Sequence, residues 1–174
     1  MATIEVTDEC LTPDKYTWVK YAGPDPWGVV RKITDSLKPS FHLSSSGRLF
    51  DRLNTDVTSD PATFYAEWRA RRELSLWTYM WVFIKVQGKV SKATNKGEFW
   101  MRMSGELKTS IKTKGIAGFF LHSFWTIYSY LFYDHRRREM LEQCTNMMMQ
   151  FRNDIKEHYN LGISHRPGGR GAYG

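Results

Sequence analysis

Only two cysteines, Cys10 and Cys144, stand among 174 residues, too few for the disulfide framework that holds small secreted domains together. Histidine is scarce as well. His42, His122, His135, His158 and His165 stand at no metal-ligand spacing from one another or from a cysteine, so no metal site is expected. No glycine-rich phosphate loop follows a strand, because Gly168-Gly169 falls among the last residues, and no nucleophile stands beside a base in a recognisable motif. Asp134-His135, Glu157-His158, and Asp154 with His158 four residues on, are acid–base neighbours of the kind that solvated helix faces produce routinely. Neither catalysis nor a cofactor is therefore expected. A recognition-helix motif for duplex DNA is lacking too. With no secretory signal ahead of the first charged residues, the expectation is an intracellular, cytoplasmic protein.

What the chain holds in quantity is aromatic side chains: Trp 7, Tyr 9 and Phe 10, which is 15% of its residues. These suit sheet packing, apolar ligand linings and stacking on bases. With 41% hydrophobic and 25% charged residues, the composition is that of a globular protein, and the length suits one domain. The net charge of +7 is uneven: residues 61–113 hold ten Lys/Arg against four Asp/Glu, residues 1–60 seven against nine, and the remainder eight against five. Such asymmetry points to a polyanionic partner, either RNA, DNA or an anionic membrane surface.

Residues 1–11 are acidic and polar, and a flexible terminus is expected there. The run from Tyr16 to Tyr21, ended by Gly23-Pro24, reads as a first strand. Asp25-Pro26-Trp27 then opens a helix: Asp25 can cap, Pro26 suits the first helical position, and Trp27, Val30, Ile33 and Leu37 follow at helical steps until Lys38-Pro39. A Ser/Gly loop, 44–47, leads to a strand at Arg48–Val57. Phe64, Ala66, Trp68 and Ala70 then alternate with Tyr65, Glu67, Arg69 and Arg71, the two-residue period of a half-buried antiparallel strand. Leu76 to Val90 is apolar on both faces and reads as a central strand. Asn95-Lys96-Gly97 supplies a turn, and alternation resumes from Phe99 to Ile111, with Gly105 marking a bulge or bend.

Residues 115–133 contain no formal charge and are flanked by basic residues. Their length meets the minimum for a membrane span, but their His, Ser, Thr and Tyr content makes them interfacial in character, suited to a protein or membrane surface. The stretch from Phe119 to Leu161 reads as one long helix or two stacked ones, and from Asp134 onward Leu141, Cys144, Met148, Phe151, Ile155 and Tyr159 recur at steps of three and four, the pattern of an amphipathic helix stopped by Gly162. On that stripe the Cys144 thiol is expected to be an inert small hydrophobe. Residues 163–174 form a Gly/Arg tail with no core-forming residue, expected to be disordered, so that 12–162 make up one α+β domain.

The order strand, Pro-initiated helix, loop, long antiparallel strands and long C-terminal helix resembles the START-like helix-grip superfamily, which includes lipid-transfer START domains, polyketide cyclases and aromatases, and the plant pollen-allergen proteins. The resemblance spans roughly Thr12 to Leu161 and rests on element order, with about five strands legible. It implies a curved antiparallel sheet packed on a long C-terminal helix with an apolar cavity between them. Trp68, Met80, Val82, Ile84, Met101, Met103 and Leu107 would line that cavity from the sheet, and Leu141, Cys144, Met148 and Phe151 from the helix. A Met-rich lining of this sort suits a hydrophobic or lipid-like ligand held without catalysis.

A second constellation is basic. Arg69, Arg71, Lys85, Lys89, Arg102 and Lys108 fall at outward or strand-end positions shared with Tyr65, Trp77, Tyr79 and Trp100. With Arg136, Arg137 and Arg138 and the tail residues Arg166 and Arg170, they would give an RNA or ribosome partner both phosphate contacts and stacking platforms. A solvated sheet face produces the same pattern. The third expectation is membrane-peripheral docking through 115–133.

Overall fold

A computed structural model describes residues 2–44, 47–113 and 134–162. Among these residues the chain is α+β. Its strands are β1 (Ala2–Glu9), β2 (Thr17–Pro24), β3 (Arg48–Asp56), β4 (Ala62–Glu73), β5 (Thr78–Val90) and β6 (Lys96–Thr113), and its helices are α1 (Gly28–Ser40) and α2 (Asp134–His158). The strands form one open antiparallel sheet in the order β1-β6-β5-β4-β3, and β2 also lies against β6.

Strand β6, 18 residues long, is the pivot. One of its edges pairs with β5 from Val90↔Gly97 to Thr78↔Thr109. The other edge takes two strands end to end: β2 along Lys96 to Met103 and β1 along Glu106 to Thr113. Between them the chain leaves the edge at Cys10, whose N–H still donates to the Gly105 carbonyl at 2.9 Å, and returns at Thr17.

Strand β1 corrects the expectation of a flexible terminus. Its Thr-Ile-Glu-Val-Thr alternation is a strand pattern, and its register places Ile4 and Val6 opposite Ile111 and Thr109. Gly105 likewise produces no bulge, for the β5–β6 register runs through Val82↔Gly105 without a shift. A Cβ there would come within 2.4 Å of the Met148 Sδ and 3.3 Å of the Cys10 Sγ, so the glycine makes room for the helix side chains. The β5–β6 turn is as expected, with Asn95 at φ 51° and Ser91 N–H donating to Lys96 O at 2.8 Å.

Both helices lie on the inner face of the sheet. The first helix begins at Gly28, later than its sequence suggested, and the Asp25 carboxylate accepts from the Gly28 N–H at 3.2 Å. Helix α1 buries Val29, Val30, Ile33 and Leu37, and its Thr34 Oγ1 accepts from the Trp68 indole N–H at 3.2 Å. Helix α2 buries Cys144, Met148, Phe151 and Ile155. Its end is set by Asn160 at φ 53°, where Leu161 N–H reaches the Lys156 carbonyl at 2.8 Å. The left-handed closing position thus belongs to Asn160 and not to Gly162.

One covalent and two polar ties join the N-terminal edge to α2. Cys10 and Cys144 are disulfide-bonded, which corrects the reading of Cys144 as an inert thiol. The neighbouring Thr145 hydroxyl donates to the Cys10 carbonyl, and Arg137 grips the Asp8 carboxylate with two N–H groups.

Candidate functional site

Alternation divides the sheet residues cleanly between its faces. Trp68, Met80, Val82, Ile84, Met101, Met103 and Leu107 all point inward and meet Cys144, Met148 and Phe151, each with 2% or less of its surface accessible. Leu141 packs against this cluster and is partly buried. The structure thus brings the eleven residues implied by the helix-grip resemblance together as one contiguous packed layer.

The opposite face is covered by neither α1 nor α2 and carries charged and aromatic side chains in rows across the strands. One row runs Trp18, Arg102, Lys85, Glu67 and Arg52, and the next Tyr16, Ser104, Phe83 and Arg69. Tyr16 belongs to this second row because it stands one residue outside the Thr17↔Met103 pair. Beyond them come Glu9 with Glu106, Trp81 and Arg71, and on the other side Lys20, Trp100, Gln87 and Tyr65.

Aromatic contacts organise these rows. Trp18 and Trp100 lie 5.6 Å apart between ring centres, and Trp81 stacks near-parallel on Phe83 at 6.3 Å. The Arg71 guanidinium lies 3.9 Å from the Tyr79 ring centre, and that of Arg102 lies 4.7 Å from Tyr16 and 5.6 Å from Trp18. Such cation–π placements hold a guanidinium flat and keep its outer edge available.

All six sheet residues of the expected basic set, Arg69, Arg71, Lys85, Lys89, Arg102 and Lys108, share this outer face. Carboxylates accompany several of them. Lys85 Nζ is 2.9 Å from Glu67, Lys89 is 2.9 Å from Glu98, Lys108 is 3.6 Å from Glu106, and Arg71 is 3.7 Å from Glu73. Burial alone would raise the Glu67 carboxyl, but hydrogen bonds from Lys85 and Tyr65, with the charges of Lys85 and Arg69, outweigh it and hold the group below its ordinary value. The same hydrogen bond raises Lys85. Among the described residues Arg102 has no carboxylate within ion-pair distance, and its partners are the rings of Tyr16 and Trp18.

The face holds a cleft of about 410 Å³ lined by Lys15, Tyr16, Glu67, Arg69, Phe83, Lys85, Arg102, Ser104 and Glu106. Sequence reasoning singled out Arg69, Lys85 and Arg102 but passed over Phe83 and Ser104. Their juxtaposition was available from the turn: counting back from Ser91 and forward from Lys96 by the same number of residues reaches Phe83 and Ser104.

The remaining basic residues lie elsewhere. Arg137 is bound to Asp8, and Arg136 lies 4.0 Å from Glu139. Both, with Arg138, sit on α2, across the sheet from Arg69 and Arg102, which separates the triple arginine from the outer face. Arg166 and Arg170, and the segment 115–133, fall outside the described residues. Among the described residues no helix is long and apolar enough to cross a membrane, and no group of His, Cys, Asp or Glu is placed to hold a metal ion. A second, apolar cleft of about 250 Å³ lies at the sheet's end between Trp27, Thr55, Val57, Ala62, Thr63, Phe64 and Val90.

No family model matches the sequence, and no curated protein matches it. Among solved structures the chain is similar to a protein of unknown function from Staphylococcus aureus, at 10% identity and a TM-score of 0.28, over 86% of this chain and 97% of that one. A Rhizobium loti protein gives 8% identity and a TM-score of 0.22, over 87% of this chain and 99% of that one. An uncharacterised protein from Rhizobium leguminosarum gives 7% and 0.20, over 82% and 98%. None of the three carries an argument about fold or function. The sheet with a long C-terminal helix against one face is compatible with a helix-grip architecture.

Proposed function

We propose that this protein binds single-stranded RNA, without catalysis, across the outer face of its sheet. The observation that carries this reading is Arg102, a cation laid over Tyr16 and Trp18 with no carboxylate within ion-pair distance among the described residues. An arginine held by rings offers its N–H edge to a phosphate, while the exposed ring of Trp18, beside the half-buried rings of Tyr16 and Trp100, offers sequence-tolerant stacking. Lys85, Lys89 and Lys108 contribute less, because each must give up a carboxylate before meeting a phosphate.

The test is RNA affinity against salt. Log affinity is expected to fall linearly with log salt, and Arg102→Ala to flatten that slope by about 0.7, the share of one phosphate on a single strand. A slope unchanged in this variant counts against the reading.

A second reading, binding of a hydrophobic ligand, is favoured by the apolar cleft beside Trp27 and Phe64, whose rings meet edge to face at 5.0 Å, and by the helix-grip resemblance. Thermal shift with fatty acids tests it, and Ala62→Trp, which fills the cleft, is expected to abolish the shift. We also propose an intracellular location. Disulfides are rare in reducing compartments, but Cys10 and Cys144 are only 3% and 0% exposed, and burial closes a disulfide to thiol exchange.

A further inference from the structure

We propose that the hollow above Ser104 is a slot for one planar aromatic ring carrying an anionic group, namely the base and phosphate of a single nucleotide unit. This inference rests on the RNA reading of the outer face. Ser104 has the smallest side chain in its row, between Tyr16 on one neighbouring strand and Phe83 on the other. Neighbouring strands stand about 4.8 Å apart, so the stems of Tyr16 and Phe83 rise about 10 Å from each other with a short hydroxymethyl group between them. A ring clamped on both faces needs walls about 7 Å apart, so at this spacing it enters freely and lies about 3.5 Å from one wall at a time.

The chemistry around the slot selects the occupant. Lys15, Arg69, Lys85 and Arg102 line the cleft against two carboxylates, Glu67 and Glu106. Glu67 is already held by Lys85 at 2.9 Å and by the Tyr65 hydroxyl at 3.0 Å, so positive charge prevails at the rim. A metal cation would be repelled by this rim. An alkyl chain would strip water from the same charges and give nothing in return. A ring with an attached phosphate satisfies both parts, since Phe83 offers the ring a wall and Arg102, laid over Tyr16, offers its outer edge to the phosphate. The Ser104 hydroxyl and the Glu106 carboxylate are the groups placed to meet polar edges of the ring, and the volume of about 410 Å³ suits a small ligand.

Calorimetry on the full chain tests the proposal with adenosine 5′-monophosphate, ribose 5-phosphate and a short single-stranded adenylate RNA. The mononucleotide is expected to bind roughly tenfold or more tighter than ribose 5-phosphate, as stacking on one base provides. Ser104→Phe, which fills the slot, and Tyr16→Ala, which removes one wall, are each expected to cut mononucleotide affinity by roughly tenfold. Tyr16 lies outside the strands, so its variant carries the test if Ser104→Phe does not fold. Equal affinity for the two phosphates, or unchanged mononucleotide affinity in a folded variant, overturns the slot. If the RNA still binds with salt dependence in that case, the outer-face reading stands and only the slot falls. If the RNA does not bind at all, both fall.

Discussion

Cys10 is joined to Cys144, so the turn by which the chain leaves the sheet edge after β1 is bonded to the middle of α2, 134 residues further along. Thr145 and Arg137 reinforce the same junction through the Cys10 carbonyl and the Asp8 carboxylate. Replacing Cys144 with alanine is expected to lower stability by about 2–4 kcal/mol, because an untied chain has more unfolded conformations to lose. Urea melts of the variant beside the oxidised and reduced native chain measure this. Coincident midpoints, or free thiols in peptide maps made without reductant, refute it.

Gly105 is the second term of that junction. Adding even one carbon drives it into the Met148 sulfur, itself fully buried, so Gly105→Ala is expected to cost about 1–3 kcal/mol. A double-mutant cycle with Met148→Ala separates this crowding from the intrinsic strand preference of alanine. Purely additive effects would show that the two positions do not touch.

Trp68 ties α1 to the sheet, being wholly buried and donating its indole N–H to Thr34. Trp68→Ala is expected to cost about 3–5 kcal/mol. Trp68→Phe should cost less, since it keeps most of the apolar area but leaves the Thr34 hydroxyl without this donor. A melting-temperature series that ranks the native chain, Phe and Ala in another order contradicts this account.

The Glu67–Lys85 pair predicts a response to acid. Glu67 is held below its reference value of 4.5, so the stability it contributes is complete above that pH and drains away as the pH falls through the lower folded value. Lys85→Met should therefore be less stable than the native chain at neutral pH, with the gap closing in acid. A gap that is constant with pH would mean that the lysine acts through packing alone.

Much of this architecture is written in short-range pattern. The alternation in β4, β5 and β6 and the three-and-four spacing on α2 assign the inward residues correctly, from Trp68 and Met80 to Met148 and Phe151. The readings that failed depend on where distant segments meet. β1 alternates as a strand does, but its acidic residues read as a solvated terminus until β6 supplies its partner, and a lone cysteine on each of two elements gives no sign of the other. Gly105 is the same case, for its role lies in the neighbouring helix and not in its own strand. The outer cleft was half legible. Its cations follow from alternation, but Phe83 beside Ser104 follows only from the register that the Ser91–Lys96 turn imposes.

The pairing of Ala2 with Thr113 has a consequence for synthesis. Strand β1 is made well before β6, its neighbour in the sheet, so its pairing edge stays open while the hairpins of β3 to β6 close between segments near in the chain. Until the long sixth strand has cleared the exit tunnel, the amino-terminal ribbon has nothing to zip onto. Residues 2–9 must therefore wait for residues 106–113 before they count as structure.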